Sequence, residues 1–368
     1  LLVAQRAVPA AAVYTTNTVA AAPVVISRAH TAAGIVRAAV VNSGNANACT
    51  GPQGLLDARA MAIAVGERLG CAEDQVVVSS TGVIGVPLPL DLVLAGVNDA
   101  SAHLTAVGGP DAAEAIRTTD TFAKQTAVEL TVGNVAYRVG GMAKGSGMIQ
   151  PNMATMLAFV TTDAPLTSAA CDAALRAATG RTFNRITVDS DTSTNDMCLL
   201  MASGAAGGEP IEPGDARFGA IAEAIHLVCG DLARMIVRDG EGATKFVAVT
   251  VRGAASEKDA ELAAFAIANS PLCKTAIFGG DANWGRVAMA IGKSGALVDP
   301  DAFDVVFAGI PTCVAGAALA FDEEAAAAAL SRPDIDVTVD LHVGGSSATV
   351  WTCDLSYEYV RINGEYRS

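Results

Sequence analysis

The sequence predicts an α/β fold followed by a second, smaller α+β domain, on three observations. Apolar β-branched segments alternate with Ala- and Leu-rich segments whose apolar residues recur at helical spacing. At 368 residues the chain exceeds what one compact core usually organises. The pattern of elements restarts beyond Glu241. These place the first domain at residues 1–245 and the second at 246–368.

Taken in order, Ile35 to Val41 reads as a strand and Leu55 to Leu69 as a helix. Gln75 to Ser80 reads as a strand that ends at Thr81-Gly82, and Thr126 to Val139 as two strands joined at a Gly133-Asn134 turn. Gly140 to Gly147 is dense in glycine and predicts a loop. After Pro151, the apolar run Thr155 to Thr161 predicts a buried strand with Thr155 at its start. Thr167 to Thr179 and Asp215 to Val237 predict amphipathic helices, with strands at Val188 and at Met197 to Ala202 between them. In the second domain, Phe246 to Val251, the neighbourhood of Val305, Asp336 to Val343 and Ala348 to Cys353 predict strands, and Lys258 to Ile267 a helix.

Composition narrows the function. Hydrophobic residues make up 51% and charged residues 17%, which describes a packed globular chain rather than a disordered one. The net charge of −14, with no segregated basic patch, disfavours nucleic acid and anionic lipid as partners. The Ala-rich start is interrupted by Tyr14 to Thr18, and no run of about 18 apolar residues predicts a membrane span. The first residue is Leu1, inside an apolar stretch, so the natural protein is expected to begin earlier. Eight cysteines without a CxxC pair, in a chain this large, read as reduced and mostly buried thiols. Without a secretory signal in view, they point to the cytoplasm. Neither the cysteines nor the four scattered histidines have metal-ligand spacing, so no metal is expected.

The segment that carries chemistry is GGMAKGSGMIQPNMATMLAFVTTDA, Gly140 to Ala164. It sets a glycine loop and a proline before a small residue, Ala154, and a hydroxyl residue, Thr155. That order suits self-cleavage. The Thr155 hydroxyl attacks the Ala154 carbonyl, the acyl group shifts from nitrogen to oxygen, and water hydrolyses the ester. The freed amine of Thr155 has an ordinary pKa of about 8, so a useful fraction is neutral and accepts the proton of its own hydroxyl. β-Branching restricts χ1 and helps hold the hydroxyl in an attacking geometry.

This segment closely resembles the cleavage motif of the ornithine acetyltransferase family, in Lys144, Gly145, Gly147, Met148, Pro151, Ala154, Thr155, Met156 and Leu157. The resemblance extends through NSGNANACTG (42–51), SSTGVIG (79–85), TTD (118–120), DSDTSTND (189–196), DGEGATK (239–245) and KTAIFGGDANWGR (274–286). It implies a four-layered αββα sandwich of the self-cleaving amino-terminal-nucleophile type with a smaller α+β domain. It also implies cleavage between Ala154 and Thr155, and cleaved chains that stay associated as α2β2.

By the same resemblance Thr155 is the nucleophile, and Thr81 and Gly82 form the oxyanion hole, where losing one donor typically costs about 100- to 1000-fold in rate. Thr118, Lys144, Thr155, Glu241, Asn363 and Ser368 match substrate-contacting positions. Lys144 suits an α-carboxylate and Glu241 a cationic side-chain amine. Asn363 and Ser368 imply that the carboxyl-terminal tail returns to the active site. The implied reaction is ping-pong: acetyl passes from N2-acetylornithine to Thr155, ornithine leaves, and glutamate becomes N-acetylglutamate. It recycles acetyl groups within arginine biosynthesis and needs neither metal nor organic cofactor. Whether acetyl-CoA also donates is left open.

Two other chemistries fail on the residues. Gly292-Lys293-Ser294 resembles the end of a phosphate loop, but Val287 stands where its first glycine belongs. No G-x-S-x-G elbow is present for a serine hydrolase. The remaining rival is a self-cleaving aminopeptidase or amidase of related fold, in which water replaces glutamate.

Overall fold

A computed structural model describes residues 1–150 and 156–365. They form two compact units, one of Leu1–Asn184 with Asp191–Ile236, the other of Arg185–Ser190 with residues 237–365.

The first unit runs β1 (Leu2–Tyr14), α1 (Ala22–His30), β2 (Ile35–Asn45), α2 (Gly51–Leu69), β3 (Val76–Val83), α3 (Leu90–Ala102) and α4 (Gly109–Ala115). It continues with β4 (Lys124–Val132), β5 (Val135–Lys144), β6 (Leu157–Thr162), α5 (Ser168–Arg181), β7 (Met197–Ala202) and α6 (Phe218–Arg238). The strands are ordered β3-β2-β1-β7-β6-β5-β4. β1 joins the two halves: Leu2 to Pro9 pair with β2 through an irregularity between Val3 and Val8, and Ala10 to Tyr14 pair with β7. A break in pairing of this kind turns a strand from one layer to the next.

The layers follow from which faces are apolar. Val36, Ala39 and Val77 of one half pack in a single core with Leu157, Phe159, Met197, Leu199 and Met201 of the other. On the opposite face of the first half, Ala38, Val40, Val76 and Val78 pack with Ala58, Met61, Ala62 and Val65 of α2. α5 covers β1 and β7, and Val228 and Leu232 of α6 pack on β5 at Gly141. The order is helix, sheet, sheet, helix, which is the expected αββα sandwich. β6 and β7, paired in parallel inside it, are apolar at 157–160 and 197–202 on successive residues because both their faces are covered. Burying a side chain such as Phe159 is worth about 2–3 kcal/mol. α5 starts where Thr167 accepts a hydrogen bond from the Ala170 N–H.

The second unit runs β8 (Phe246–Ala254), α7 (Glu257–Ala268), α8 (Pro271–Phe278), α9 (Trp284–Gly292), β9 (Asp304–Phe307), β10 (Ile310–Val314) and β11 (Ala317–Ala318). α10 (Glu323–Leu330), β12 (Asp334–Asp340), β13 (Ser346–Cys353) and α11 (Tyr357–Glu365) complete it. Its sheet is ordered β11-β10-β9-β12-β8-β13, with β8 and β12 parallel. Val247, Val249, Val337, Val339 and Val350 form its core with Ala260, Ala264 and Ile267 of α7.

Several local expectations change. Gly140 to Lys144 continue β5 rather than forming a loop, Gly140 to Ala143 paired with both β4 and β6 and Lys144 with β6. Gly141 is accommodated because a Cβ there would lie 3.0 Å from both Leu232 and Val228. β3 runs through Thr81-Gly82 to Val83. Val188 lies in no strand, the nearest pairing being an isolated bridge between Ile186 and Trp351. All eight cysteines are free and six are buried. Among the described residues no helix is long and apolar enough to cross a membrane.

Candidate active site

Thr81 and Gly82 lie where β3 runs parallel to β2. The pairing is irregular here, with Asn45 opposite both Thr81 and Val83. Gly82 adopts φ +132°, and a Cβ on it would fall 2.3 Å from the carbonyl carbon of Gly44. Only glycine fits so close an approach. The irregular strand ends are held by side-chain hydrogen bonds. Asn195 donates to the carbonyls of Ala46 at 2.6 Å and Ser80 at 2.8 Å, and Ser80 Oγ donates to Asn42 Oδ1 at 2.5 Å. Three separated segments, 42–51, 79–85 and 191–196, therefore meet around Thr81.

Lys144 ends β5 and reaches into this region. Its Nζ donates to Thr118 Oγ1 at 2.8 Å and to Thr81 Oγ1 at 3.3 Å. The ammonium lies 3.8 Å from Asp120 Oδ2. Asp120 accepts from Lys124 Nζ and from the Gly145 N–H, both at 2.7 Å, and from the Thr118 N–H at 3.1 Å. Burial alone would raise the Asp120 carboxyl, but the charges of Lys144 and Lys124 and the hydrogen bonds outweigh it and hold the carboxyl below its ordinary value. The chemical content is two hydroxyls sharing one ammonium, which orders them for interaction with an oxyanion or a carboxylate.

In the second unit Glu241 is buried and accepts from Asn363 Nδ2 at 2.8 Å. Gly242 makes this pairing possible. It adopts φ +69°, and a Cβ there would stand 2.5 Å from the Tyr359 N–H nitrogen of α11. Ser356 Oγ donates to the Gly242 carbonyl at 2.6 Å and ties the start of α11 to the loop that bears Glu241.

The structure thus gathers Thr81, Gly82, Thr118 and Lys144 in the first unit, and Glu241 with Asn363 in the second. Ala154, Thr155 and Ser368 lie outside the described residues. Sequence reasoning quoted Asp120 and Asn195 within motifs but assigned them no role, and overlooked Lys124. An acid and a lysine four residues apart, Asp120 and Lys124, read as a solvated pair unless burial is known. No cluster of three or more potential metal ligands occurs among the described residues.

The layering and the threonine–lysine site define the class, a mixed α/β protein of the αββα kind. The model of the ArgJ family matches residues 1–368. The Arginine biosynthesis bifunctional protein ArgJ of Symbiobacterium thermophilum is 55% identical over 368 residues, covering 100% of this chain and 92% of that protein. Its namesake in Geobacter sulfurreducens is 51% identical over 359 residues, 97% of this chain and 91% of that protein. The crystal structure of the arginine biosynthesis bifunctional protein ArgJ of Bacillus halodurans superposes with a TM-score of 0.56 at 48% identity, over 58% of this chain and 100% of the other. The chain belongs to the ArgJ family and is an enzyme of arginine biosynthesis.

Proposed function

We propose that this enzyme cuts itself between Ala154 and Thr155 and then transfers acetyl from N2-acetylornithine to glutamate through an acetyl-Thr155 intermediate. The observation that carries the reading is the convergence of the Thr81 and Thr118 hydroxyls on the Lys144 ammonium, next to Gly82, which the close approach of Gly44 requires to be glycine. The Thr81 hydroxyl and the Gly82 N–H receive the developing oxyanion. Lys144 and Thr118 hold the α-carboxylate, Glu241 the side-chain amine of ornithine, and Asn363 and Ser368 complete the substrate contacts. The amine of Thr155 takes the proton of its own hydroxyl on attack and returns it to the departing nitrogen.

Cleavage has further support in the Bacillus halodurans chain. That complete chain matches 58% of this one, the share that residues 155–368 make up. The bifunctional designation of the relatives supports acetyl-CoA as a second donor to glutamate. The cut chains assemble as α2β2.

Thr155→Ala is the direct test. The expected product is one uncut band on a denaturing gel, where wild type gives two, with transfer lowered at least about 1000-fold. A fully active Thr155→Ala protein overturns the proposal. Acetate release from N2-acetylornithine that proceeds at full rate regardless of glutamate assigns the enzyme to the hydrolases instead.

A further inference from the structure

Thr81, Thr118 and Lys144 are organised by a residue to which none of the roles above is assigned. Asp120 lies just before β4, and all the polar groups it receives belong to the ends of the β4–β5 hairpin or to the Thr118 loop. Its Oδ1 accepts from Lys124 Nζ and the Gly145 N–H, and its Oδ2 accepts from the Thr118 N–H and faces Lys144 Nζ. One carboxylate therefore touches the backbone on both sides of the site: the N–H of Thr118, and the N–H that follows Lys144.

Lys124 and Lys144 both lie against the carboxylate of Asp120, at 2.7 and 3.8 Å. The side chains of Lys124 and Asp120 are both 0% exposed, whereas that of Lys144 is 10% exposed. Lys124 is too buried to meet a ligand, so of the two ammonium groups Lys144 is the one that can. The Lys124 ammonium is kept in place by Asp120 and by the ring of Phe122, whose centroid is 4.9 Å away. Thr81 accepts a hydrogen bond from Lys144, so its own hydroxyl proton is directed elsewhere and remains available as a donor.

We propose that Asp120, paired with Lys124, is a positioning residue that holds Lys144 and the Thr118 loop in place for the α-carboxylate common to both amino-acid substrates, and through Lys144 orients the Thr81 hydroxyl. The role rests on the proposed acetyl transfer. It predicts a loss in binding of carboxylate-bearing substrates that exceeds any loss in acyl chemistry. A residue needed only for folding would lower both together.

The test uses the self-processed enzyme and two acetyl donors, N2-acetylornithine with glutamate as acceptor, and 4-nitrophenyl acetate, an ester without a carboxylate. Asp120→Asn is expected to raise KM for N2-acetylornithine and for glutamate about tenfold, the worth of one charge-assisted hydrogen bond. The fall in kcat/KM on the ester is expected to be several times smaller. The double variant Asp120→Asn, Lys124→Met keeps the net charge of the cluster and leaves no uncompensated buried lysine, so a change in it reports position alone. It is expected to show the same rise in KM, and it decides the matter if the single variant does not fold. Unaltered KM values, or equal losses on ester and amino acids, overturn the role of Asp120. A wild-type enzyme that moves no acetyl from N2-acetylornithine to glutamate overturns the proposed reaction itself.

Discussion

Each unit buries a lysine ammonium, and the two do so by opposite means. In the first, Lys124 lies 2.7 Å from the carboxylate of Asp120. In the second, Lys274 donates to Thr352 Oγ1 at 2.9 Å, to the Cys353 carbonyl, and to Cys353 Sγ at 3.7 Å. Burial pushes the Cys353 thiol up, so the sulfur is protonated and every one of these acceptors is neutral at pH 7. Neutral acceptors tie α8 to β13, and one of them, Thr352, also donates to the Ala268 carbonyl at the end of α7 at 3.3 Å. A carboxylate has lone pairs to spare, and those of Asp120 also hold the Thr118 and Gly145 N–H groups and face Lys144. The difference teaches that an ion pair is used where loop and strand N–H groups and a second ammonium must be held in register, and neutral acceptors suffice where helices are fastened to one strand.

The largest effect that separates the two is expected on removing the lysines. Lys124→Met strips a fully buried carboxylate of its nearest cation and is expected to cost about 3 kcal/mol, read as a lower midpoint in urea unfolding. A loss below about 1 kcal/mol would mean that Asp120 does not depend on Lys124, and would break the comparison. Lys274→Met leaves only neutral acceptors unpaired, so its cost is expected to be smaller, about 1–2 kcal/mol in the same titration. A larger loss for Lys274→Met than for Lys124→Met would reverse the ranking.

The smallest effect is the response to acid, and it sharpens the contrast. The folded-state pKa of Asp120 lies below its ordinary 3.8, so its contribution to stability is present above 3.8 and is lost as pH falls through the folded value. The stability gap between wild type and the Asp120→Asn, Lys124→Met protein is therefore expected to hold from neutral pH down to about 4 and to narrow below it. Lys274 has no carboxylate partner among its hydrogen bonds, so the gap between wild type and Lys274→Met should stay constant across the same range. Parallel curves for the two would show that the Asp120 carboxylate adds no acid-dependent stability.

Much of the fold was legible because its elements advertise themselves locally. The apolar runs at 157–160 and 197–202 read as buried strands, and Thr167 stands at the start of the helix that it caps. The motif segments marked Thr81, Lys144 and Glu241 as site residues. Where local reading failed, a partner elsewhere in the chain was responsible. Gly140 to Ala143 have loop composition but become strand because β4 and β6 pair with them on both sides and α6 packs against the bare Gly141. The Ala-rich start hid β1, whose pairing with β2 and β7 is what joins the two sheet layers.

The sequence by itself determined the periodicities, the glycines that permit close approach, and the order of hydroxyl, amine and carboxylate groups along the chain. Only the tertiary structure decided which of those groups leave water. Asp120 and Lys124 look like any surface pair four residues apart, and Lys274 like any exposed lysine, because desolvation is imposed by segments far away in sequence. Their burial turns ordinary charges into fixed ones, since an ammonium or carboxylate withdrawn from water has to be met by partners whose positions the whole fold sets.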